Sequence, residues 1–421
     1  MPHITVKPFD TSILKEGDYS QTKIVFRSQD LYSLDEMIGV EVDETKFLLH
    51  IKKSKESWLL KYDKVTRPLK VNLVKQAIGD ISKDLEIINS NITIHKSKVA
   101  LGNSYEKRIE DFVDIEFPLE ILQNSLESET LVPNITRLKP SVPSFARDLF
   151  ESVSIEVGFG SGKHLLYQAE KNPDRLFIGI EIHTPSAQQV LRQIELKGIE
   201  NIWVVNYDAR LLLEMIPSNL CHKIFVHFPV PWDKKPHRRV ISSSFLEESM
   251  RVLEKGGKLE LRTDSYKYFW YALDTFLGEN VAQSALEVRK NASLEVTSKY
   301  EARWIRQEKD IYDVFVKSEH QSEERVLDFN FNFDEIFYKD KLIERISKKP
   351  ILYDGYFIHF ERIYRVSESA ILLKLAFGSF DRPEHKYIWI DDSICYYFGS
   401  IPVKTLTNYK THLKIKEQLS V

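Results

Sequence analysis

Three glycines at alternate positions, at the end of an apolar run, constrain this chain more than any other feature. Ser154-Ile155-Glu156-Val157 reads as a buried strand, Gly158-Phe159-Gly160-Ser161-Gly162 as a turn, and residues 163–170 as a helix. Strand, glycine turn and helix make the corner of an open α/β sheet at which backbone passes close to a ligand. The pattern downstream agrees. Residues 176–182, 201–206, 223–228 and 258–264 are strand-like, with helical spacing over 186–196 and 244–253, and Glu254-Lys255-Gly256-Gly257 reads as the turn into the last strand. Such alternation predicts a parallel sheet with helices on both faces.

Glycine spacing then separates the ligands. A dinucleotide turn, G-x-G-x-x-G, needs its third glycine where Lys163 stands, and a phosphate loop, G-x-x-x-x-G-K-[ST], needs glycine at Val157 and Ser or Thr at His164. E-x-G-x-G-x-G remains, the turn of S-adenosylmethionine-dependent methyltransferases, where a carboxylate at Glu156 suits the cofactor's ammonium. Gly158, Gly160 and Gly162 form the turn itself. Two more acids close strands at the same edge: Glu181, 19 residues beyond Gly162, placed to accept both ribose hydroxyls, and Asp208, placed to accept from the adenine amino group. Three carboxylates in register behind one glycine turn form a set.

Length and composition bound the rest. The 421 residues suffice for two or three domains, and 43% hydrophobic with 29% charged residues is ordinary for a soluble globular chain. A net charge of −3 excludes a globally basic nucleic-acid binder, so any such contact comes from local patches. Two cysteines, Cys221 and Cys395, without metal-ligand spacing, suit a reducing cytoplasm and no bound metal. No signal-like start and no bilayer-length apolar run is present, so no membrane association is expected. A polar, proline-bearing stretch at 128–144 reads as a linker. The expected division is an α+β domain over 1–135, a catalytic domain over 136–320, and a small β-rich domain over 321–421. Within the first, 46–52, 57–62, 92–95 and 112–117 read as strands and 71–85 as a helix. Eight Lys/Arg lie between Lys52 and Lys75, interleaved with Trp58 and Tyr62; they suit RNA phosphates, but an isolated run of this kind more often is a solvated strand face. In the last, 331–343, 353–364, 370–377 and 387–398 read mostly as strands.

Residues 137–317 carry a resemblance. Glu156 to Gly162, Gly179-Ile180-Glu181-Ile182-His183, Phe228-Pro229-Val230-Pro231-Trp232-Asp233-Lys234, Arg238-Arg239, Arg262-Thr263-Asp264 and Ser298-Lys299-Tyr300-Glu301 resemble the bacterial tRNA (guanine-N7)-methyltransferases of the TrmB family. The F-P-x-P-W-x-K and S-K-Y-E elements are its specific part. The resemblance implies a class I (Rossmann-like) methyltransferase core that methylates N7 of the variable-loop guanosine (position 46) of tRNA, as a monomer or a homodimer. It implies that Glu156, Glu181 and Asp208 hold S-adenosylmethionine, and that Lys234, Asp264, Ser298, Lys299 and Glu301 meet the target guanosine. One departure stands out: Val230 occupies the position of the family's usual Asp between the two prolines, so either that acid is dispensable here or another, Asp233 or Asp264, takes its place. The 1–135 and 321–421 segments also exceed the family's short form.

Guanine N7 presents a lone pair, so no base need remove a proton, and catalysis rests on alignment and exclusion of water. Asp264 and Lys234 are the expected catalytic residues, Asp264 either stabilising the charge that grows on the ring or binding the guanine N1/N2 edge. The loop 234–239, with Lys234, Lys235, Arg238 and Arg239, suits RNA phosphates. His183 reads as a pocket wall, His237 as part of the basic loop, and Trp232 as a stacking residue or a loop anchor. Two other readings stay open: a methyltransferase with a non-tRNA acceptor, and a catalytically inactive tRNA-binding protein.

Overall fold

A computed structural model describes residues 2–68, 70–92, 106–107, 152–278, 284–296, 301, 304, 306–325, 329–333 and 339–420. The strands expected at 93–95 and 112–117 and the linker at 128–144 lie outside them. The described residues fall into two compact units, one drawn from 1–97, 329–402 and 406–421, the other from 98–328 and 403–405.

The second unit contains the glycine turn. Its eight-stranded sheet is built from β1 (Ser152–Val157), β2 (Arg175–Ile180), β3 (Ile202–Val205), β4 (Cys221–His227), β5 (Leu253–Thr263), β6 (Ser284–Lys290) and β7 (Tyr312–Ser318), with the two-residue strand Glu106–Lys107 parallel to β3 at the edge. The order is 6-7-5-4-1-2-3, with β1 to β5 parallel and β7 antiparallel to both β5 and β6. Strand order reverses between β1 and β4, so the ligand crevice of an open sheet opens beyond Val157 and His227. Central strands read as unbroken apolar runs because helices cover both faces. Those helices are α1 (Lys163–Lys171), α2 (Thr184–Lys197), α3 (Ser243–Val252) and α4 (Tyr266–Phe276). Their ends follow from local chemistry: Ser242 and Ser265 accept from Phe245 N–H and Tyr268 N–H at 3.2 Å each, and Gly198 closes α2 at φ +63°. One expectation differs. Residues 254–257 do not break the strand but form an irregularity inside β5, where pairing jumps from Cys221↔Leu253 to Lys223↔Lys258.

The first unit corrects the division into two separate terminal domains. Strands from both ends of the chain share one twelve-stranded sheet, joined where Tyr356–Arg365 runs antiparallel to Thr22–Asp30 through Tyr364↔Asp30 and Arg365↔Gln29. Phe26, Met37 and Leu48 from the front pack with Tyr364, Leu372 and Tyr387 from the back in one buried cluster. The Tyr387 hydroxyl donates to Asp63 at 2.9 Å, and Arg362 pairs with Asp30. Apolar surface that neither segment buries alone is buried jointly. The C-terminal segment is also less uniformly β than its aromatic runs suggest, since Lys339–Arg345 and Leu406–Leu419 are helices. The 387–398 run is two strands, Glu384–Asp391 and Cys395–Phe398, turned by Asp391 Oδ1, which accepts from Ser393 N–H and Ile394 N–H.

Candidate functional site

Every described residue expected in the site lies at, or just beyond, the carboxyl edge of the second unit's sheet, apart from Glu301. Glu156 is the penultimate residue of β1, Glu181 follows β2, and Asp208 lies just beyond β3. These are three adjacent strands. The loop 228–239 leaves β4, and Asp264 directly follows β5. Ser298 and Lys299, expected to meet the target guanosine, lie outside the described residues.

The turn needs its glycines for two reasons. Gly162 precedes α1 at φ +71°, and a Cβ there would meet Val190 Cγ2 at 2.2 Å. Gly160, at φ +53°, has nothing within 4 Å of the Cβ position, so the backbone there borders open space on the side where a ligand approaches. Around that space the acids are already tied to the protein. Glu181 accepts from Gly160 N–H (2.9 Å) and His183 N–H (2.8 Å), bracing the turn from the neighbouring strand. Asp208 caps the short helix Ala209–Leu212, accepting from Arg210 N–H (3.0 Å) and from its guanidinium (2.7 Å). An open glycine backbone braced by Glu181, with Glu156 and Asp208 at the ends of the flanking strands beside a topological switch point, suits a ligand with an ammonium, a ribose and an adenine.

Sequence reasoning missed His164. Its Nδ1 lies 2.8 Å from Glu156 Oε2, both buried, and its ring centroid is 4.6 Å from that of His227. His227 in turn contacts Glu260 at 2.9 Å, and Lys223 reaches Glu260 at 3.1 Å. A two-layer polar core thus underlies the glycine turn. Burial works against a charged His164, but the charge and hydrogen bond of Glu156 outweigh it and raise His164 above its ordinary value. Burial likewise opposes ionisation of Glu260, yet His227 and Lys223 hold it down to about 2. A histidine raised on folding stabilises fully below its unfolded value near 6.5, and that contribution fades as pH rises through the folded value. The wild-type melting temperature is therefore expected to fall through that window, and His164→Gln to flatten the slope in a pH series of thermal melts. An unchanged slope would remove the ion pair. The sequence signal was present: a histidine in the first turn of the helix after the glycines, eight residues from an acid.

The loop after β4 is strained and anchored. Phe228 and Trp232 adopt φ +49° and +46°, conformations that cost aromatic residues about 1–3 kcal/mol each. Phe228 N–H donates to Arg262 O (2.7 Å), and Lys235 N–H to Trp232 O (2.8 Å). Arg239 is the main anchor, and here the phosphate assignment needs correction. Its side chain is buried, donates from Nε to Pro231 O (2.8 Å), and lies 4.2 Å over the Tyr271 ring. Lys234, Lys235 and Arg238 remain exposed, with the Arg238 guanidinium 5.2 Å over Trp232. Asp233 faces Arg239 at 3.5 Å and Val230 is exposed, so Asp264 is the acid at the sheet edge not engaged with this loop.

Glu301, expected as a substrate contact, is buried inside a different structure. Arg262, 1% exposed at the end of β5, donates to Glu301 (2.6 Å), Asp313 (2.5 Å) and the Ala292 carbonyl (2.8 Å). Burial pushes Asp313 above the ordinary carboxylate value even with Arg262 beside it. The hub positions the segment that follows Arg262, and Asp264 projects from it to accept from Lys309 Nζ at 3.1 Å. Arg262, Glu301 and Lys309, with Asn291, Ser293 and Asp310, line a cavity of about 380 Å³. Among the described residues, no helix is long and apolar enough to cross a membrane.

Comparison with known proteins accords with this geometry. Residues 151–314 match a family model described as "Putative methyltransferase". The tRNA (guanine-N(7)-)-methyltransferase of Wolinella succinogenes is 36% identical over 430 residues, covering 100% of each chain. That of Helicobacter pylori is 38% identical over 429 residues, covering 100% of this chain and 99% of the relative. Among solved structures, one described as an antibiotic related methyltransferase is 16% identical with a TM-score of 0.32, covering 46% of this chain and 96% of its own. The two curated relatives span the terminal unit as well as the catalytic sheet.

Proposed function

The chain belongs to the tRNA (guanine-N7)-methyltransferase family, and on that premise we propose that it methylates N7 of the variable-loop guanosine of tRNA in the cytoplasm. The enzyme is a class I methyltransferase and S-adenosylmethionine is its methyl donor. The observation that supports the reading most is the carboxyl edge itself: a glycine turn with three acids at the ends of β1, β2 and β3, beside an exposed basic loop after β4 and an acid after β5.

The residues divide the work. Gly160 leaves room at the turn, and Glu156, Glu181 and Asp208 meet the ammonium, ribose and adenine of the donor. When bound, the donor supplies an electrophilic methyl on a sulfonium. Guanine N7 attacks with a lone pair it already has, so the protein aligns N7 with the methyl carbon rather than moving a proton. Asp264 lies beyond β5, away from the three cofactor acids, where its charge offsets the cation that grows on the ring. Lys234, Lys235 and Arg238 hold backbone phosphates; Arg239 and the strained backbone at Phe228 and Trp232 hold the loop that presents them.

This assignment has a salt signature. Replacing Lys234, Lys235 and Arg238 together by Ala is expected to weaken tRNA binding and to flatten log K against log salt by about 2–3. Filter binding across a salt series measures it. Arg239→Ala is expected to lower activity with the salt slope unchanged; the opposite pattern would make Arg239 the phosphate ligand.

A further inference from the structure

We propose that the face of Trp304 and the carboxylate of Asp264 together seat the target guanine, and that the Lys309 ammonium occupies that seat in this structure. The inference rests on the tRNA guanine-N7 reading and adds to it a stacking platform and a displaceable lysine.

The local fold explains how the three groups meet. Lys309 N–H donates to Trp304 O (3.1 Å), Gln307 N–H donates to the same oxygen (3.0 Å), and Glu308 between them takes φ +53°. A left-handed residue followed by an N–H that bonds five residues back is a Schellman helix end, which folds the next side chain over the last turn. Here that side chain is Lys309, and its Nζ lies 3.7 Å from the centroid of the Trp304 ring. A helix end alone would account for that much. It does not account for Asp264, which comes from β5 and accepts from the same ammonium at 3.1 Å. One cation is therefore held between an aromatic face and the acid assigned to catalysis, and Lys309 also helps to line a cavity of about 380 Å³.

The chemistry of that seat matches the reaction. Neutral guanine becomes a cationic ring as the N7–methyl bond forms and the sulfonium loses its charge. An indole face and a carboxylate both attract a cation more than a neutral purine, so their pull grows toward the transition state. Lys309 is a partly exposed point charge on a flexible four-carbon stem. It gives way to guanine as the tRNA docks, and it competes with the methylated base afterwards, which favours release.

The test compares 7-methylguanosine 5′-monophosphate with guanosine 5′-monophosphate as inhibitors of tRNA methylation by the full chain. Wild type is expected to prefer the cationic nucleotide by about two- to thirtyfold, the span of a cation–π contact. Trp304→Ala is expected to bring the ratio close to one and to lower kcat about tenfold with S-adenosylmethionine affinity unchanged, and Trp304→Phe to recover part of both. Lys309→Met, which removes the competing ammonium without changing the ring, is expected to tighten the methylated nucleotide severalfold. A folded Trp304→Ala enzyme with wild-type kcat and ratio would overturn the proposal. If Trp304→Ala does not fold, a Lys309→Met enzyme with unaltered nucleotide affinities would overturn it equally. A wild-type chain that methylates no tRNA would instead contradict the reading beneath, so the two failures are distinct.

Discussion

Arg262→Met is expected to cost about 3–5 kcal/mol of stability in the catalytic unit, the size of an effect seen when one partner of a buried ion pair is removed. Arg262 is 1% exposed and satisfies Glu301, Asp313 and the Ala292 carbonyl at once. Methionine removes the guanidinium that both buried carboxylates accept from. Against a typical total of about 5–15 kcal/mol, the loss is large enough to unfold part of the population at 37 °C. Arg262→Lys keeps the charge but cannot reach three acceptors in one plane, so an intermediate loss is expected. Asp313, already raised by burial, rises further without Arg262. A group raised on folding favours the folded state as pH falls, so the variant's deficit is expected to shrink toward acid. Urea unfolding at neutral and mildly acidic pH measures both effects. A wild-type midpoint for Arg262→Met would show that the triad contributes nothing.

Asp264→Ala is expected to lower turnover well over tenfold while the affinity for S-adenosylmethionine stays within about twofold. A single electrostatic group aimed at developing charge typically contributes a hundredfold or more. The acids proposed to hold the cofactor lie at the ends of β1, β2 and β3, whereas Asp264 follows β5, two strands away from β1 in the sheet order. Asp264→Asn keeps the shape and removes the charge, so it is expected to behave like Ala if charge is what matters. Calorimetry with the cofactor and single-turnover methylation separate the two quantities. A variant with full turnover would remove Asp264 from the reaction, and one that no longer binds cofactor would move it to the other site. Val230 in the loop makes this the informative acid, since the family's usual carboxylate is absent there.

The catalytic sheet was legible because its signals are local. Buried parallel strands announce themselves as short apolar runs, and the glycine turn and the capping serines mark where they end. Glu156, Glu181 and Asp208 could be placed at one edge because a parallel sheet delivers every carboxyl end to the same side. The joined terminal sheet was not legible, because Tyr364 pairs with Asp30 across more than 300 residues and no local pattern records a partner that far away. Leu406–Leu419 escaped for another reason. Its buried face includes Asn408, Thr411 and His412, polar groups satisfied by Glu384, the Thr407 carbonyl and the Asn332 carbonyl, which hide the helical period. Within the site, adjacent Arg238 and Arg239 look alike in sequence, and only the Tyr271 ring decides that one is an anchor and the other an exposed cation. Glu301 looked available for the same reason: a motif lists a carboxylate without its Arg262 partner.

The most direct measurement incubates the purified chain with S-adenosylmethionine carrying a labelled methyl group and an unmodified tRNA transcript, then digests the RNA and identifies the labelled nucleoside and its position. The account predicts 7-methylguanosine at the variable-loop guanosine and nowhere else in the transcript. Cofactor binding without label in any tRNA, or label in a different nucleoside, would contradict it.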